Sequence, residues 1–247
     1  MLAGHEVARL FILDFGLFEV RGGERVIGIP GFLMETDRGA RILFDTGFPP
    51  AYASDPDIAA RDGLPRFGRL LDHGAHHTLS GQLALLGLQP PDIDLVILSH
   101  GHIDHVGALP LVAHAPIVMT ERERADPRPS YFGAARPMPW PEADYHLIGA
   151  DTSICAGLLL LPTPGHTPGH LSALVTLPET GPLILAADAI NRACEPAERF
   201  ADADDPGTAA ASADRLLALA ARTGAELLYG HDPAQWPGLR KAPACYT

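Results

Sequence analysis

Four apolar runs in this chain each lead to a histidine or an aspartate. They are residues 93–98 before His100, 158–161 before His166, 183–187 before Asp188, and 227–229 before His231. Short runs rich in leucine, isoleucine and valine are typical of buried strands. We therefore expect neighbouring strands to bring these polar side chains together at one edge of a sheet.

The first run leads into HGHIDH, which adds three further side chains that commonly bind metals. The complete set has five imidazoles and two carboxylates: His100, His102, Asp104, His105, His166, Asp188 and His231. A tetrahedral zinc takes four ligands, so this set suits two metals that share a bridging carboxylate and a bridging water. The nitrogen and oxygen donors predict two Zn²⁺ ions, and Fe²⁺, Mn²⁺ or Co²⁺ are compatible.

Composition places the chain among ordinary globular proteins. Apolar residues make up 47% and charged residues 19%, without a linker or low-complexity segment, so we expect one domain over 1–247. The net charge is −12 and the 18 basic residues are scattered, which argues against nucleic acid and membrane surfaces as partners.

We find no secretory leader or membrane span, and the three cysteines are far apart, which predicts free thiols and a cytoplasmic location. Monomer and homodimer both remain open.

The order of the predicted elements indicates an α/β or mixed α+β protein. Strands are expected over 9–14, 31–36 and 41–45, and a helix over 78–88. The apolar runs described above supply further strands. An alanine-rich helix is expected over 208–222.

Two proline-rich stretches, 48–77 and 121–146, are long for plain connections. The second carries Tyr131, Phe132 and Trp140, so it is either a surface loop or a wall over a pocket. We expect both stretches to shape a pocket.

The motifs HGHIDH, TPGHTPGH, AADA and YGHD, with FDTG near residue 45, resemble those of the metallo-β-lactamase superfamily. The resemblance covers nearly the whole chain and implies a four-layer αββα sandwich with a dinuclear metal site at its edge. Within the superfamily, the segment LLGLQPPDIDLVILSHGHIDH and the ending GHDPAQWPGLRKAPACY are most similar to N-acyl homoserine lactone lactonases and pyridoxolactonases. This resemblance implies a hydrolase that opens a lactone ring by attack of a metal-bridging hydroxide on the ring carbonyl.

The resemblance also implies roles for single residues. One metal would be held by His100, His102 and His166, the other by Asp104, His105 and His231, and Asp188 would bridge them. Asp104, close to the bridging water, is the expected proton shuttle. Asp45 resembles an aspartate that orients a ligand histidine, although it is also typical of a turn that caps a strand. His170 is either an orienting residue or purely structural.

Two positions depart from the lactonase pattern. Those enzymes usually carry a tyrosine three residues after the bridging aspartate, where this chain has Asn191. Its amide can still donate to a developing oxyanion, so Asn191 is a candidate catalytic and substrate-pocket residue. Ile103 stands where an aromatic residue is frequent, and we expect it to line the substrate pocket.

Other functions use similar residues. A glyoxalase-II-like thioesterase shares the ligands, although a tail with only Arg240 and Lys241 argues weakly against it. A phosphotriesterase is compatible, because hydroxide attacks phosphorus and carbon alike. A non-catalytic metal protein is disfavoured, since structural zinc sites are closed by four protein ligands that often include cysteine.

Overall fold

The computed structural model describes residues 2–23, 25–129 and 135–247, and over these ranges the chain forms two β-sheets and flanking helices. The strands are β1 (Val7–Val20), β2 (Val26–Thr36), β3 (Arg41–Phe44), β4 (Gly68–Asp72), β5 (Leu95–Ile97), β6 (Ile117–Thr120), β7 (Tyr145–Ile148), β8 (Thr152–Cys155), β9 (Leu158–Pro162), β10 (Leu171–Leu177), β11 (Gly181–Ala187) and β12 (Glu226–Tyr229). The helices are α1 (Ala51–Ser54), α2 (Pro56–Arg61), α3 (Leu79–Ala84), α4 (Ile103–Val106), α5 (Glu121–Arg124), α6 (Glu195–Glu198) and α7 (Pro206–Thr223).

The two sheets differ in how their strands pair. The first has the order β4-β1-β2-β3-β5-β6-β7, antiparallel as far as β3 and parallel from β3 onward. The second has the order β12-β11-β10-β9-β8, in which β11 and β12 are parallel and the other pairs antiparallel. Strands β9, β11 and β12 therefore run in one direction, and their carboxyl ends meet at one edge.

The prediction that the ligands meet at the edge of one sheet is wrong in one respect, because they follow strands of both sheets. His100 follows β5 of the first sheet, whereas His166, Asp188 and His231 follow β9, β11 and β12 of the second. Local apolar patterns mark where strands end but do not determine the sheet to which a strand belongs.

Three clusters of buried side chains separate four layers, which confirms the predicted αββα arrangement. Between the helices and the first sheet, Leu79 and Leu83 of α3 belong to the same cluster as Leu33 of β2. Between the sheets, residues such as Phe32 and Leu160 are buried together. Strands covered on both faces are expected to be apolar almost throughout, which explains the continuous apolar runs.

The outer layer on the second sheet is α7, and its local sequence explains its bounds. Asp205 caps the helix by accepting a hydrogen bond from the backbone N–H of Thr208 at 3.1 Å, and Gly224 ends it with a φ of 72°. Ala209, Ala213, Leu216 and Ala220 form its buried face. The predicted range 208–222 lies inside the observed helix.

The connecting stretches contain more regular structure than their composition predicts. Residues 48–77 include α1, α2 and the edge strand β4, and residues 121–146 begin with α5 and end in β7. The helix predicted over 78–88 is shorter, because α3 ends at Ala84 and Gly87 adopts a φ of 71°. Tyr131 and Phe132 lie outside the described residues.

Within the described ranges, no helix combines the length and apolar character needed to cross a bilayer. The expectation of one domain over 1–247 stays a prediction, for which the core shared by the two sheets is the physical basis.

Candidate metal centre

The seven candidate ligands predicted from the sequence lie in two adjoining groups. The first group is formed by His100, His102, His166 and Asp188, and the second by Asp104, His105 and His231. Within each group one ligand atom from every residue lies within 4.8 Å of the others. Distances of this size suit donors arranged around a single ion.

Asp188 connects the two groups. Its Oδ2 lies 3.2 Å from Nε2 of His166 and 3.9 Å from Nε2 of His100. Its Oδ1 lies 3.3 Å from Nε2 of His105 and 3.3 Å from Nε2 of His231. Each carboxylate oxygen therefore faces a different group, which is the arrangement that a bridging ligand requires.

Several of these atoms are buried without a hydrogen-bond partner. They are Nε2 of His100, Nε2 of His105, Oδ1 of Asp104 and Oδ1 of Asp188. Buried polar atoms without partners are costly and rare in folded proteins. Because they converge from two directions on the same space, the donor set fits bound cations better than it fits a structural hydrogen-bond network.

In the first group, Ser99 orients the ring of His100, and the rings of His102 and His166 contact each other. Ser99 Oγ lies 3.0 Å from Nδ1 of His100, and it donates to Asp45 Oδ2 at 2.7 Å. The ring therefore donates from Nδ1 and leaves Nε2 free as a ligand atom. Nε2 of His166 lies 3.0 Å from Nδ1 of His102, so these two nitrogens face one another inside the group.

His170 positions Asp188 instead of pointing at the ligand atoms. Its Nε2 accepts a hydrogen bond from the backbone N–H of Asp188 at 3.1 Å, and its Nδ1 lies 2.9 Å from Oγ1 of Thr163. Burial lowers the pKa of His170 well below its usual value, so the ring is neutral and accepts at Nε2. This contact corresponds to the orienting alternative for His170.

The second group is held in the same manner. Asp45 Oδ2 accepts from Nδ1 of His105 at 2.8 Å, and the backbone carbonyl of Gly28 lies 2.9 Å from Nδ1 of His231. Both rings thus direct Nε2 towards Asp188 and Asp104. The contact between Asp45 and His105 corresponds to the orienting role that the resemblance implied for Asp45.

The pKa values of the histidines move in opposite directions in the two groups. Burial, reinforced by neighbouring imidazoles, lowers the pKa of His100 and His166, and it lowers that of His102 to about 3. For His231, burial acts downwards but is outweighed by Asp188 and Asp104, which raise the pKa to about 10. In the metal-free chain the imidazoles of the first group are therefore neutral donors, whereas a protonated His231 must lose its proton before Nε2 can bind a cation.

A cavity of about 460 Å³ opens onto both groups. One wall is apolar and consists of Phe18, Val20, Ile27, Phe48 and Phe67. The charged residues of the lining come from the segment after β11 and from the β1–β2 connection: Arg25, Arg192, Glu195, Asp202 and Asp204. Phe48 and Phe67 come from the stretch 48–77, so that stretch shapes the cavity as predicted.

Asn191 lies in the cavity wall, but Ile103 does not. The backbone N–H of Asn191 donates to Oε2 of Glu195, and its Nδ2 lies 3.5 Å from Oε1 of the same carboxyl. Ile103 is 1% exposed and packs in the core between the helices and the first sheet. The prediction that Ile103 lines the pocket is corrected on this geometry, because α4 turns that side chain away from the cavity. Trp140 is likewise a core residue, with Nε1 donating to the carbonyl of Asp126 at 2.8 Å.

Two features of the described structure were not predicted. Glu123 of α5 is buried beneath the first group, although ERER reads locally as a solvated, charged segment. Asp72, His76 and His77 form a further group of potential ligands near the surface. Glu123 stands between Arg122 and Arg124, so the local sequence pattern marks neither its burial nor the role of Asp72.

The chain belongs to the metallo-beta-lactamase superfamily, whose sequence pattern matches residues 29–231. It is 30% identical over 267 residues to the N-acyl homoserine lactonase AttM of Azorhizobium caulinodans, covering 96% of this chain and 98% of that protein. It is also 30% identical to the N-acyl homoserine lactonase AiiA of Bacillus thuringiensis subsp. kurstaki, covering 86% of this chain and 84% of the relative.

Solved structures share the fold at lower identity. An N-acyl homoserine lactone hydrolase with the product N-hexanoyl-L-homoserine at its catalytic metal centre superposes with a TM-score of 0.82 at 24% identity, covering 98% of this chain and 100% of the other. The dizinc quorum-quenching lactonase AidC superposes with a TM-score of 0.63 at 20% identity, covering 98% and 96%. At these identities the structures support the fold alone.

Proposed function

We propose that this protein is a lactone hydrolase that works with two metal ions, and that N-acyl homoserine lactones are its first candidate substrates. The observation that carries the proposal is the position of Asp188, whose two oxygens each face a different group of ligands. A protein that bound metal only for stability would not need a carboxylate shared between two open groups beside a cavity.

The relatives support the choice of substrate class. AttM and AiiA are both named N-acyl homoserine lactonases, and the similarity to AttM extends over nearly the whole of both chains. The apolar wall that includes Phe18, Phe48 and Phe67 offers a surface for an acyl chain. The polar groups of the same cavity offer partners for a ring and an amide.

The metal ions that we propose are Zn²⁺, held by His100, His102 and His166 on one side and by Asp104, His105 and His231 on the other. Imidazole nitrogens and carboxylate oxygens, with no thiolate among the candidate ligands, match this ion. Two bound divalent cations would lower the pKa of water towards neutrality and withdraw charge from an ester carbonyl. The remaining roles belong to side chains of this chain.

Asp104 is the proposed proton carrier. Its Oδ2 lies 3.5 Å from Nε2 of His105 and 3.5 Å from Nε2 of His231, while its Oδ1 is buried without a hydrogen-bond partner. Asp104 also lines the cavity. We propose that this oxygen takes a proton from the attacking water and returns it to the alkoxide that leaves the opened ring.

Asn191 is the proposed donor to the substrate carbonyl. It lies in the cavity wall three residues after Asp188. The carboxylate of Glu195 accepts hydrogen bonds from its backbone N–H and from its side-chain amide. An amide N–H positioned before the reaction stabilises a developing oxyanion without reorganisation. The side chain is shorter than the tyrosine usual in lactonases, so we expect a substrate that approaches this wall more closely.

We also propose a reducing, cytoplasmic compartment. Cys155, Cys194 and Cys245 are free thiols. Thiols persist in that compartment, whereas disulfides form in oxidising ones.

The proposal is tested by measuring hydrolysis with zinc- or cobalt-loaded protein in a pH-stat. The substrates are a series of N-acyl homoserine lactones, plain γ- and δ-lactones, S-lactoylglutathione and paraoxon. His102→Ala serves as the blank, and His146→Ala is the matched control, because His146 is an exposed histidine far from the ligand groups in sequence.

We expect preferential opening of lactones by the wild type and by His146→Ala, and its loss in His102→Ala. Turnover of the thioester or the phosphotriester with inert lactones would contradict the proposal. It would move the function to a thioesterase or a phosphotriesterase that uses the same residues.

A further inference from the structure

The buried carboxylate of Glu123 connects the two loops that carry the first ligand group. Its Oε1 accepts from the backbone N–H of Gly101 at 2.8 Å. Its Oε2 accepts from Oγ1 of Thr167 at 2.8 Å and from the backbone N–H of Gly169 at 3.0 Å. Gly101 lies between His100 and His102, and Thr167 directly follows His166, so each bond is made beside a ligand.

The burial of Glu123 is costly and calls for a reason. The residue is 6% exposed, and burial raises the pKa of its carboxyl while its hydrogen bonds with Thr167, Gly101 and Gly169 act in the opposite direction. A well-packed apolar side chain often stabilises a core as well as or better than a buried charge. A contribution to general stability is therefore a weak explanation for a carboxylate here, and its three donors indicate a more specific role.

The backbone of the second loop approaches α5 so closely that no side chain fits between them. A Cβ added to Gly169 would lie 2.2 Å from the backbone nitrogen of Glu123 and 2.3 Å from Oγ1 of Thr120. Oγ1 of Thr120 accepts from that same nitrogen at 3.2 Å and donates to the carbonyl of Gly169 at 2.5 Å. The start of α5 and the loop are thus fixed by contacts in addition to those of the carboxylate.

The second ligand group is positioned by other residues. Asp45 orients His105, and the carbonyl of Gly28 orients His231. In the described structure Glu123 forms hydrogen bonds with Gly101, Thr167, Gly169 and Thr120, and with neither of these two rings.

We infer that Glu123 is a positioning residue that sets the spacing of His102 and His166, and thereby the metal affinity of the first ligand group but not of the second. The inference rests on the proposed two-metal site. It goes beyond the proposed reaction because it assigns to the first ligand group a support that the second group does not share.

Glu123→Gln is the decisive variant. A glutamine has one acceptor oxygen, so its amide N–H group must face either the N–H of Gly101 or the donors Thr167 and Gly169. Loss of a residue that orients metal ligands typically weakens metal binding about 10- to 100-fold. The matched control is Glu121→Gln, which makes the same charge change on the same helix at an exposed position.

The measurement is the zinc content per chain and the zinc affinity of each site, obtained by competition with a chromophoric chelator. Thermal melting of the metal-free proteins reports whether each variant folds. We expect two zinc ions in the wild type and in Glu121→Gln, and one tight and one weakened zinc in Glu123→Gln. Adding His102→Ala to Glu123→Gln should leave the tight zinc in place, whereas adding His231→Ala should remove it.

Unchanged affinity at both sites, or equal weakening of both, would overturn the inference while leaving the two-metal site intact. A wild-type protein that binds no zinc would instead overturn the proposed site and the inference with it. If Glu123→Gln does not fold, Thr167→Val decides the question, because it removes a single donor to Oε2 with little change in shape. We then expect a weaker first site, and an unaltered affinity would refute the role of Glu123.

Discussion

Asp45→Asn is expected to weaken metal binding in both ligand groups. Asp45 is 2% exposed and receives hydrogen bonds from the backbone N–H of Ser99 at 2.8 Å, from Oγ of Ser99 at 2.7 Å and from Nδ1 of His105 at 2.8 Å. Ser99 passes this support to His100, while His105 receives it directly. One carboxylate therefore orients a ligand in each group.

Asparagine is the informative replacement because the backbone tolerates it. Asp45 has a φ of 63°, a left-handed conformation that asparagine and aspartate adopt more readily than other non-glycine residues. Whichever way the amide is turned, its NH₂ group meets at least one donor that Asp45 now accepts. The loss of one hydrogen bond to a buried charged group costs about 1.5–3 kcal/mol.

That cost corresponds to roughly a 10- to 100-fold weaker affinity, since about 1.4 kcal/mol is a factor of ten. The range agrees with the effect usually seen when an orienting partner of a metal ligand is removed. The assay is zinc competition against a chelator, with metal-free melting as the test of folding. Asp214→Asn, at an exposed position on α7, is the control.

Affinities at both sites within about twofold of the wild type would refute the reasoning, because Asp45 would then be only a turn residue. A selective loss at one site would refute the shared support by Asp45. The contrast with Glu123→Gln makes the pair informative, since that variant should affect the first group alone.

Three further predictions concern the cavity and the core. Asn191→Ala should lower kcat on the best lactone by about 10²-fold or more while zinc content stays at the wild-type level; unchanged kcat would remove Asn191 from the reaction. Leu160→Ala, between the sheets at 0% exposure, should lower the free energy of unfolding in urea by about 2–5 kcal/mol, and a change below about 1 kcal/mol would contradict the packing described. Burial raises the pKa of Glu195 above 4.5, so its carboxyl binds a proton more tightly in the folded chain, and the resulting stability is present below pH 4.5 and lost as the pH rises through the folded pKa. Glu195→Gln should therefore gain melting temperature relative to the wild type as the pH rises from about 4 to neutrality, and parallel curves would contradict this.

The ligand groups could be predicted because metal ligands are constrained locally. His100, Asp188 and His231 each closely follow an apolar strand, and the spacing HxHxDH is rare outside metal sites. Their assembly from two sheets could not be predicted, because a short apolar run carries no information about which sheet it joins. The strand β4 was missed for a related reason, since much of it is exposed at a sheet edge.

The supporting residues were harder to predict because their roles arise only in the folded chain. Glu123 stands in a run of charged residues, and it is buried because the loops that carry Gly101 and Gly169 pack against α5. Ile103 appeared to be a pocket residue because it lies between two ligands, but a helical turn directs it into the core. Two residues adjacent in sequence can therefore point to opposite sides of one short helix: Ile103 lies in the core, whereas Asp104 lines the cavity.

The most direct test of the two-metal account is a titration of metal-free protein with zinc, followed by the rate of lactone opening at each addition. The account predicts that activity reaches its plateau at two zinc ions per chain and that Asp188→Ala, which removes the carboxylate facing both groups, never reaches it. Full activity at one zinc per chain, or no lactone opening at any zinc content, would contradict it.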